Sequence, residues 1–274
     1  MRVPPTRQDF METPMTAPAR KGATRAADIP ADVLDALSRG QLQSATLAEC
    51  LALDQEKLLL AAFPGLSPRA RQAATQAAQL GILKRMMGMG ALLLEELGSA
   101  GIPLCQSHGP DTVRGWACFM IGARPDQGLA TRLAAMEPLA DDAHFGVREW
   151  AWMAMRPHLA RELAPAIVQL AAWTSSPSER LRRFASEALR PRGVWCAHIA
   201  ALKRQPGQAL PVLAPLRADT SAYVQDSVAN WLNDAGKDQP DWVRGLCRQW
   251  LADDPPAATR RICQRALRNL PVTG

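Results

Sequence analysis

The feature that most constrains the fold is a short apolar pattern that recurs five times. VRGWACFMI begins at Val113, VREWAWMAM at Val147, LRRFASEAL at Leu181, VQDSVANWL at Val224 and TRRICQRAL at Thr259. The starts lie 34, 34, 43 and 35 residues apart. A period in this range marks stacked helix pairs, because each pair buries its apolar face only against its neighbours. Counting the first residue as zero, positions 0, +3, +4 and +8 are mostly apolar, as in Val113/Trp116/Ala117/Ile121 and Leu181/Phe184/Ala185/Leu189. Those offsets share one face of an α-helix. Period-two alternation is absent and β-branched residues are sparse. The chain is therefore expected to be an all-α solenoid without a β-sheet.

Each repeat helix is preceded by turn residues, and partner helices are expected between them, for example Arg161–Trp173 and Pro240–Leu251. Upstream, a helix should run through Ser38 and end at Gly40. A capping box at Thr46–Glu49 should open a second that runs to Phe63. Ser67-Pro68 should start a third, to about Leu80, and a fourth should span 82–97. The first 27 residues hold Pro4, Pro5, Pro14 and Pro18 among charges and lack the apolar core of a secretory signal. They read as a disordered tail. The expected organisation is thus a tail over 1–27, an N-terminal helical region over 28–107 and a repeat domain over 108–274 that carries the cleft.

Composition narrows the chemistry. No stretch approaches the roughly 18–20 apolar residues that span a bilayer, so no membrane partner is expected. The six cysteines form no C-x-x-C pair and the four histidines no ligand spacing. A reducing, cytoplasmic compartment with no disulfide framework, no metal and no cofactor is the resulting expectation. The net charge of +6 is compatible with a polyanionic partner. Position +1 is Arg114, Arg148, Arg182, Gln225 and Arg260. These arginines either lay a row of cations along the stack or sit solvated at repeat edges with their stems on apolar surface.

The acids that a bare repeat does not need are Glu149 at +2, Glu187 at +6 and Asp234 at +10. Offsets four apart differ by only about 40° around a helix, so all three project from the same side of their own helices. Side-by-side stacking then brings them to one groove. The alternative is three unrelated acids on solvated faces. Arg183 and Arg190 flank Glu187 at i−4 and i+3, a spacing that holds a carboxylate ionised and fixes its rotamer. Asp234 falls near a helix C-terminus, where the dipole disfavours an acid. Trp195 comes after the helix break at Pro191, and an aromatic beside carboxylates suits an unstacked base or a cationic group.

The segment SERLRRFASEALRPRGVW (178–195) resembles the signature of the AlkC/AlkD superfamily of DNA-alkylation-repair glycosylases, and is closest to AlkC. HFGVREWAW (144–152), SAYVQDSVANWLNDAGKDQPDW (221–242) and RALRNL (265–270) support the resemblance, which extends over roughly residues 20–270. Ala188 and Gly193-Val194 depart from the glycine and Leu-Pro usual at those places. The resemblance implies an α-solenoid of HEAT-like repeats whose basic concave face binds duplex DNA. It implies removal of cationic N-alkylated bases such as 3-methyladenine. The pocket acids would be Glu149, Glu187 and Asp234, the pocket arginine Arg183 and the pocket tryptophan Trp195. Independently of the resemblance, Arg183, Arg190, Arg148 and neighbouring cations are expected to make one face positive enough to bind DNA.

The chemistry expected from these residues is hydrolysis of an N-glycosidic bond. A base alkylated on a ring nitrogen already carries positive charge and leaves readily, so the protein need only stabilise an oxocarbenium sugar and position water. Asp234 and Glu187 are expected to do this, with Glu149 nearest the base. Lys237 is the only lysine within the acid-bearing motifs, so no Schiff-base step is expected. The expected protein is a monofunctional, monomeric glycosylase of base-excision repair, acting on double-stranded DNA in a bacterial-type nucleoid. The rival is a non-catalytic HEAT-like scaffold that binds DNA or protein.

Overall fold

The computed structural model describes residues 20–270. Sixteen α-helices succeed one another, and no strand occurs among the described residues. In the N-terminal part these are α1 (Ala31–Ser38), α2 (Leu47–Ala52), α3 (Gln55–Ala62), α4 (Pro68–Ala78), α5 (Ile82–Leu97) and α6 (Gly101–Gln106). The repeat helices are α7 (Asp111–Ala123), α9 (Phe145–Arg161), α11 (Glu179–Glu187), α14 (Ala222–Gly236) and α16 (Ala257–Leu267). Between them lie α8 (Leu129–Ala140), α10 (Leu163–Trp173), α12 (Ala200–Arg204), α13 (Leu210–Leu213) and α15 (Pro240–Trp250). The 43-residue interval before Val224 is explained by the long loop after α11 and the short helical turns that replace one regular partner helix.

The repeat pattern is the packing pattern. All its 0, +3, +4 and +8 residues are buried except Leu267, which is partly covered. Helix α7 packs on α5 and α9, α9 meets α11, and α14 packs on α11 and α16. The α7–α9 approach is so close that a Cβ on Gly115 would lie 2.6 Å from Trp150 Cδ1. Trp116 and Trp231 are fully buried, as befits core packing.

The arginines at +1 have a local structural role. In each case the side chain turns back onto carbonyls of the loop before its own helix. Arg114 Nη1 donates to His108 O and Gly109 O, Arg148 Nη1 to Asp142 O and Ala143 O, and Arg182 Nη1 to Ser176 O and Pro177 O. Gln225 reaches Asp219 O and Arg260 reaches Pro255 O in the same way. Asp142 and Asp219 accept from the arginine of the preceding repeat at 2.8 and 2.6 Å. Each also accepts from the backbone N–H two residues on. The row of cations is thus largely a row of turn clamps.

Three expectations change. The helix expected from Thr46 to Phe63 is two helices, because Asp54 caps α3 by accepting from Lys57 N. Thr46 caps α2, but Glu49 does not complete the box. It turns away to Ala45 N, Ala23 N and a bidentate pair with Arg20 at 2.6 and 2.7 Å. Residues 20–27, assigned by composition to the tail, therefore belong to the folded body; residues 1–19 lie outside the described residues.

Glu49 is buried, and Arg20 together with the two backbone donors holds its carboxyl at about 2. A depressed folded pKa stabilises fully above the unfolded value and is lost as pH falls through the folded one. Arg20→Ala strands this buried carboxylate and should cost about 3 kcal/mol near neutral pH. Denaturant unfolding should show that difference shrinking between roughly pH 4.3 and pH 2; a difference that grows on acidification would contradict the assignment.

Candidate active site

Glu149 sits in the second turn of α9, whose N-terminus is fixed by His144. The His144 Nδ1 accepts from Gly146 N at 3.1 Å, and its Nε2 lies 2.6 Å from Ser44 O. A carbonyl only accepts, so Nε2 carries the proton. Ser44 is bound in turn by Asp111, through its N–H and its hydroxyl. This knot ties the segment before α2 to the helix that bears Glu149. Cys50 lies inside it, and burial pushes its thiol up to about 12, so it is not a poised nucleophile.

Three repeat helices place the three acids in one chain of alternating charge. Arg183 Nη1 lies 2.7 Å from Glu149 Oε1, and its Nη2 lies 3.6 Å from Glu187 Oε2. Arg190 Nη1 lies 2.8 Å from Glu187 Oε1, and its Nη2 lies 2.7 Å from Asp234 Oδ2. Lys237 closes the chain on Asp234 Oδ1 at 3.3 Å. Thus Glu149, Arg183, Glu187, Arg190 and Asp234 run without interruption across α9, the α11 segment and α14. The unfavourable place of Asp234 in the last turn of α14 is offset by these two cations.

Burial pushes the Glu187 carboxyl up, but the charges of Arg183 and Arg190 and hydrogen bonds from Arg190 and Ser227 outweigh it and leave it below the ordinary range. Burial likewise disfavours the Arg183 cation, and Glu187 and Glu149 reverse the effect. Ser227 Oγ donates to Glu187 Oε2 at 2.7 Å and lies 2.8 Å from Ser186 Oγ.

A cavity of about 490 Å³ opens over this chain. Glu149, Glu187 and Asp226 line it together with Arg183 and Arg190, and Asp226 is paired with Arg261 and Arg265 at 2.7 and 3.1 Å. Its aromatic walls are Phe145, Trp150, Trp152, Trp195 and Tyr223. Leu47 and Cys50 contribute from the N-terminal region, so the cleft is shared between both parts of the chain. Within the charge chain, Glu149 is the accessible acid. Its side chain is 31% exposed, against 5% for Glu187. Asp234 is buried behind Arg190 and does not line the cavity. Trp152 Nε1 donates to Glu149 Oε2 at 2.7 Å and fixes its rotamer.

Arg148 is directed to Tyr223, with Nε 3.2 Å from the hydroxyl. Arg148 and Arg183 both lie over the Tyr223 ring, at 5.3 and 4.8 Å from its centroid. Sequence reasoning missed Tyr223, Ser227 and Trp152. Ser227 had left a signal: it occupies +3, where the other repeats carry Trp116, Trp150, Phe184 and Ile262. A hydroxyl at a core position points to a buried polar partner. Tyr223 is the only tyrosine of the chain, which marked it without indicating its neighbours.

No protein-family model matches the chain. Among curated proteins, 143 residues are 38% identical to the uncharacterized protein YhaZ of Bacillus subtilis (strain 168), covering 52% of this chain and 39% of that one. Among solved structures, the fold is similar to the Pseudomonas fluorescens alkylpurine DNA glycosylase AlkC bound to DNA containing an abasic site analog. The TM-score is 0.63 at 25% identity, over 79% of this chain and 60% of that one. It also resembles AlkD2 from Streptococcus mutans, with a TM-score of 0.53 at 21% identity, covering 78% of this chain and 97% of that one. The smu.31 protein of Streptococcus mutans UA159 aligns with a TM-score of 0.57 at 22% identity, over 74% and 98%. The chain thus spans less than two thirds of the length of YhaZ and of AlkC. Its fold, a stack of helical repeats without a sheet among the described residues, is similar to those of AlkC and AlkD2.

Glu187→Gln removes the centre of the charge chain and leaves two buried guanidiniums short of a partner, at a cost of about 3 kcal/mol or more. Because the folded pKa is lowered, the advantage of the native protein should be full above about pH 4.3 and shrink only below it. Unfolding curves of both proteins across roughly pH 3–8 measure this. A gap that closes already near pH 6 would mean that Glu187 is not held ionised.

Proposed function

We propose that the protein is a DNA glycosylase of alkylation repair that hydrolyses the N-glycosidic bond of cationic N-alkylated bases in double-stranded DNA. The observation that carries this reading is the cavity lining, which sets five aromatic side chains around Glu149, the accessible acid of the charge chain. Aromatic faces and an accessible carboxylate both favour a flat cation over a neutral base. The similarity to AlkC, named as an alkylpurine DNA glycosylase, supports the same class of activity.

Within this reading Glu149 meets the lesion. It is the most open acid of the charge chain, and its geometry is fixed by Arg183 and Trp152. It is placed to stabilise positive charge as it moves from the alkylated base to the sugar, and to orient the attacking water. Glu187 and Asp234 act from one and two steps back, because Arg190 and Lys237 occupy their oxygens. This reverses the emphasis expected from sequence, where Asp234 and Glu187 were to orient water. Trp195, at 47% exposure, stands at the rim where a base enters. A cationic base needs no general acid to leave, in keeping with a site whose buried carboxylate Glu187 is held ionised.

The test is base release from duplex DNA carrying 3-methyladenine, with unmodified DNA as control. Glu149→Gln keeps shape and removes charge; it should lower release roughly 10²-fold, about 2.7 kcal/mol of barrier. Duplex affinity should fall steeply with added salt and change little in this variant. Wild-type protein that binds duplex DNA but releases no base would assign it instead to non-catalytic DNA binding.

A further inference from the structure

Trp195 stands on a loop that has no regular structure, and its backbone is in the left-handed region at φ +60°. A non-glycine residue persists there only when its surroundings impose the conformation. The surroundings include an unusual cation. Arg156, on α9 two turns beyond Glu149, is 2% exposed. Its Nη1 donates to Ala188 O at 3.1 Å, its Nη2 to Arg190 O at 2.6 Å and its Nε to Ala197 O at 3.0 Å. All three acceptors are backbone carbonyls of the segment that leaves α11 and carries Trp195. Burial pushes the Arg156 pKa down, as expected of a guanidinium held by dipoles in place of a carboxylate.

The loop is shaped to this guanidinium. A Cβ on Gly193 would lie 2.9 Å from both Arg156 Cζ and Nε. The chain can fold over the cation only where position 193 has no side chain. Trp195 is thereby held between the acid cavity and a second, largely apolar cavity of about 570 Å³, both of which it lines together with Met153. One further pin, the exposed-side pair of Arg192 with Asp238 at 2.9 Å, lies on the same loop.

We propose that Arg156 is a positioning residue for Trp195: it fixes the indole at the rim of the acid cavity by clamping the carbonyls of residues 188, 190 and 197 against α9. The proposal rests on the reading of that cavity as the seat of the alkylated base. Arg156 touches no substrate, and its effect on the reaction passes through Trp195.

A double-mutant cycle on base release separates this role from general structural support. Arg156→Met and Gly193→Ala should each lower release of 3-methyladenine about tenfold or more, since small misplacements of positioned groups cost that much. Arg156→Lys, which supplies donors without the planar fork, should recover only part of the loss. In a Trp195→Ala background Arg156→Met should cause no further loss beyond about twofold, as expected when one residue acts through the other. Equal loss in both backgrounds would overturn the proposal. Gly193→Ala covers the case in which Arg156→Met does not fold. A readout independent of activity is the 19F signal of Trp195 in protein labelled with 5-fluorotryptophan, assigned with Trp195→Phe. It should shift in Arg156→Met and Gly193→Ala. An unmoved signal in Gly193→Ala would overturn the clamp even if the rate falls. If the native protein releases no cationic base, the functional reading fails, and the 19F measurement still decides whether Arg156 places Trp195.

Discussion

The burial of Glu187 between two guanidiniums is the interaction on which the rest of the site depends. Removing a carboxylate from water costs several kcal/mol, and its attraction to a cation offsets this only when geometry is good and the remaining lone pairs are filled. Here Arg183, Arg190 and Ser227 fill them. Those guanidiniums are themselves largely withdrawn from water and need a second acid each. Glu149 on α9 and Asp234 on α14 supply it. The charge chain therefore cannot be assembled within one helix. It requires the stacking register of three, and it holds that register by penalising any slip that would leave a buried ion alone.

The repeats show how such a site arises on a regular scaffold. The apolar face stacks, and the +1 arginine clamps its own turn. Where the following repeat has an aspartate five residues before its start, the same arginine also bridges to it, as Arg114 does to Asp142 and Arg182 to Asp219. Arg148 lacks that option, because the corresponding position in the next repeat is Ser176. Its Nε is left to turn towards the cavity and Tyr223. A serine in place of the aspartate thus leaves a turn-clamping arginine free to support Tyr223, which is part of the cavity wall. Ser227 is a second case, a core position given over to holding Glu187.

The same logic separates the parts that were legible in the sequence from those that were not. The stacked helices were legible, because apolar periodicity is itself the packing rule, and Val113 through Cys263 are buried as the pattern requires. The pairing of Arg183 and Arg190 with Glu187 was also legible, since i−4 and i+3 spacings are local geometry. The split of the second expected helix was not. Asp54 fits a helix interior by pattern, yet its carboxylate accepts from Lys57 N and restarts the chain. Nor was the retreat of Asp234 behind Arg190, because helical offsets give the direction of a side chain but not how far neighbouring cations cover it.

The loop of Trp195 marks the limit of local reading for a different reason. Its sequence, Pro-Arg-Gly-Val-Trp, specifies a break but no unique path, and a bulky residue at positive φ is disfavoured by about 1–3 kcal/mol. The path is selected by a cation 32 to 41 residues nearer the N-terminus. Arg156 falls at position +9 of its repeat, next to the apolar Met155, where sequence alone gives no reason to expect a buried charge. A guanidinium withdrawn from water without a carboxylate needs every donor answered. Only backbone released from helical hydrogen bonding can answer it, and the segment beyond the end of α11 is such a backbone. The irregular loop and the buried arginine are therefore each the condition of the other, and the aromatic rim of the cavity is built on that mutual requirement.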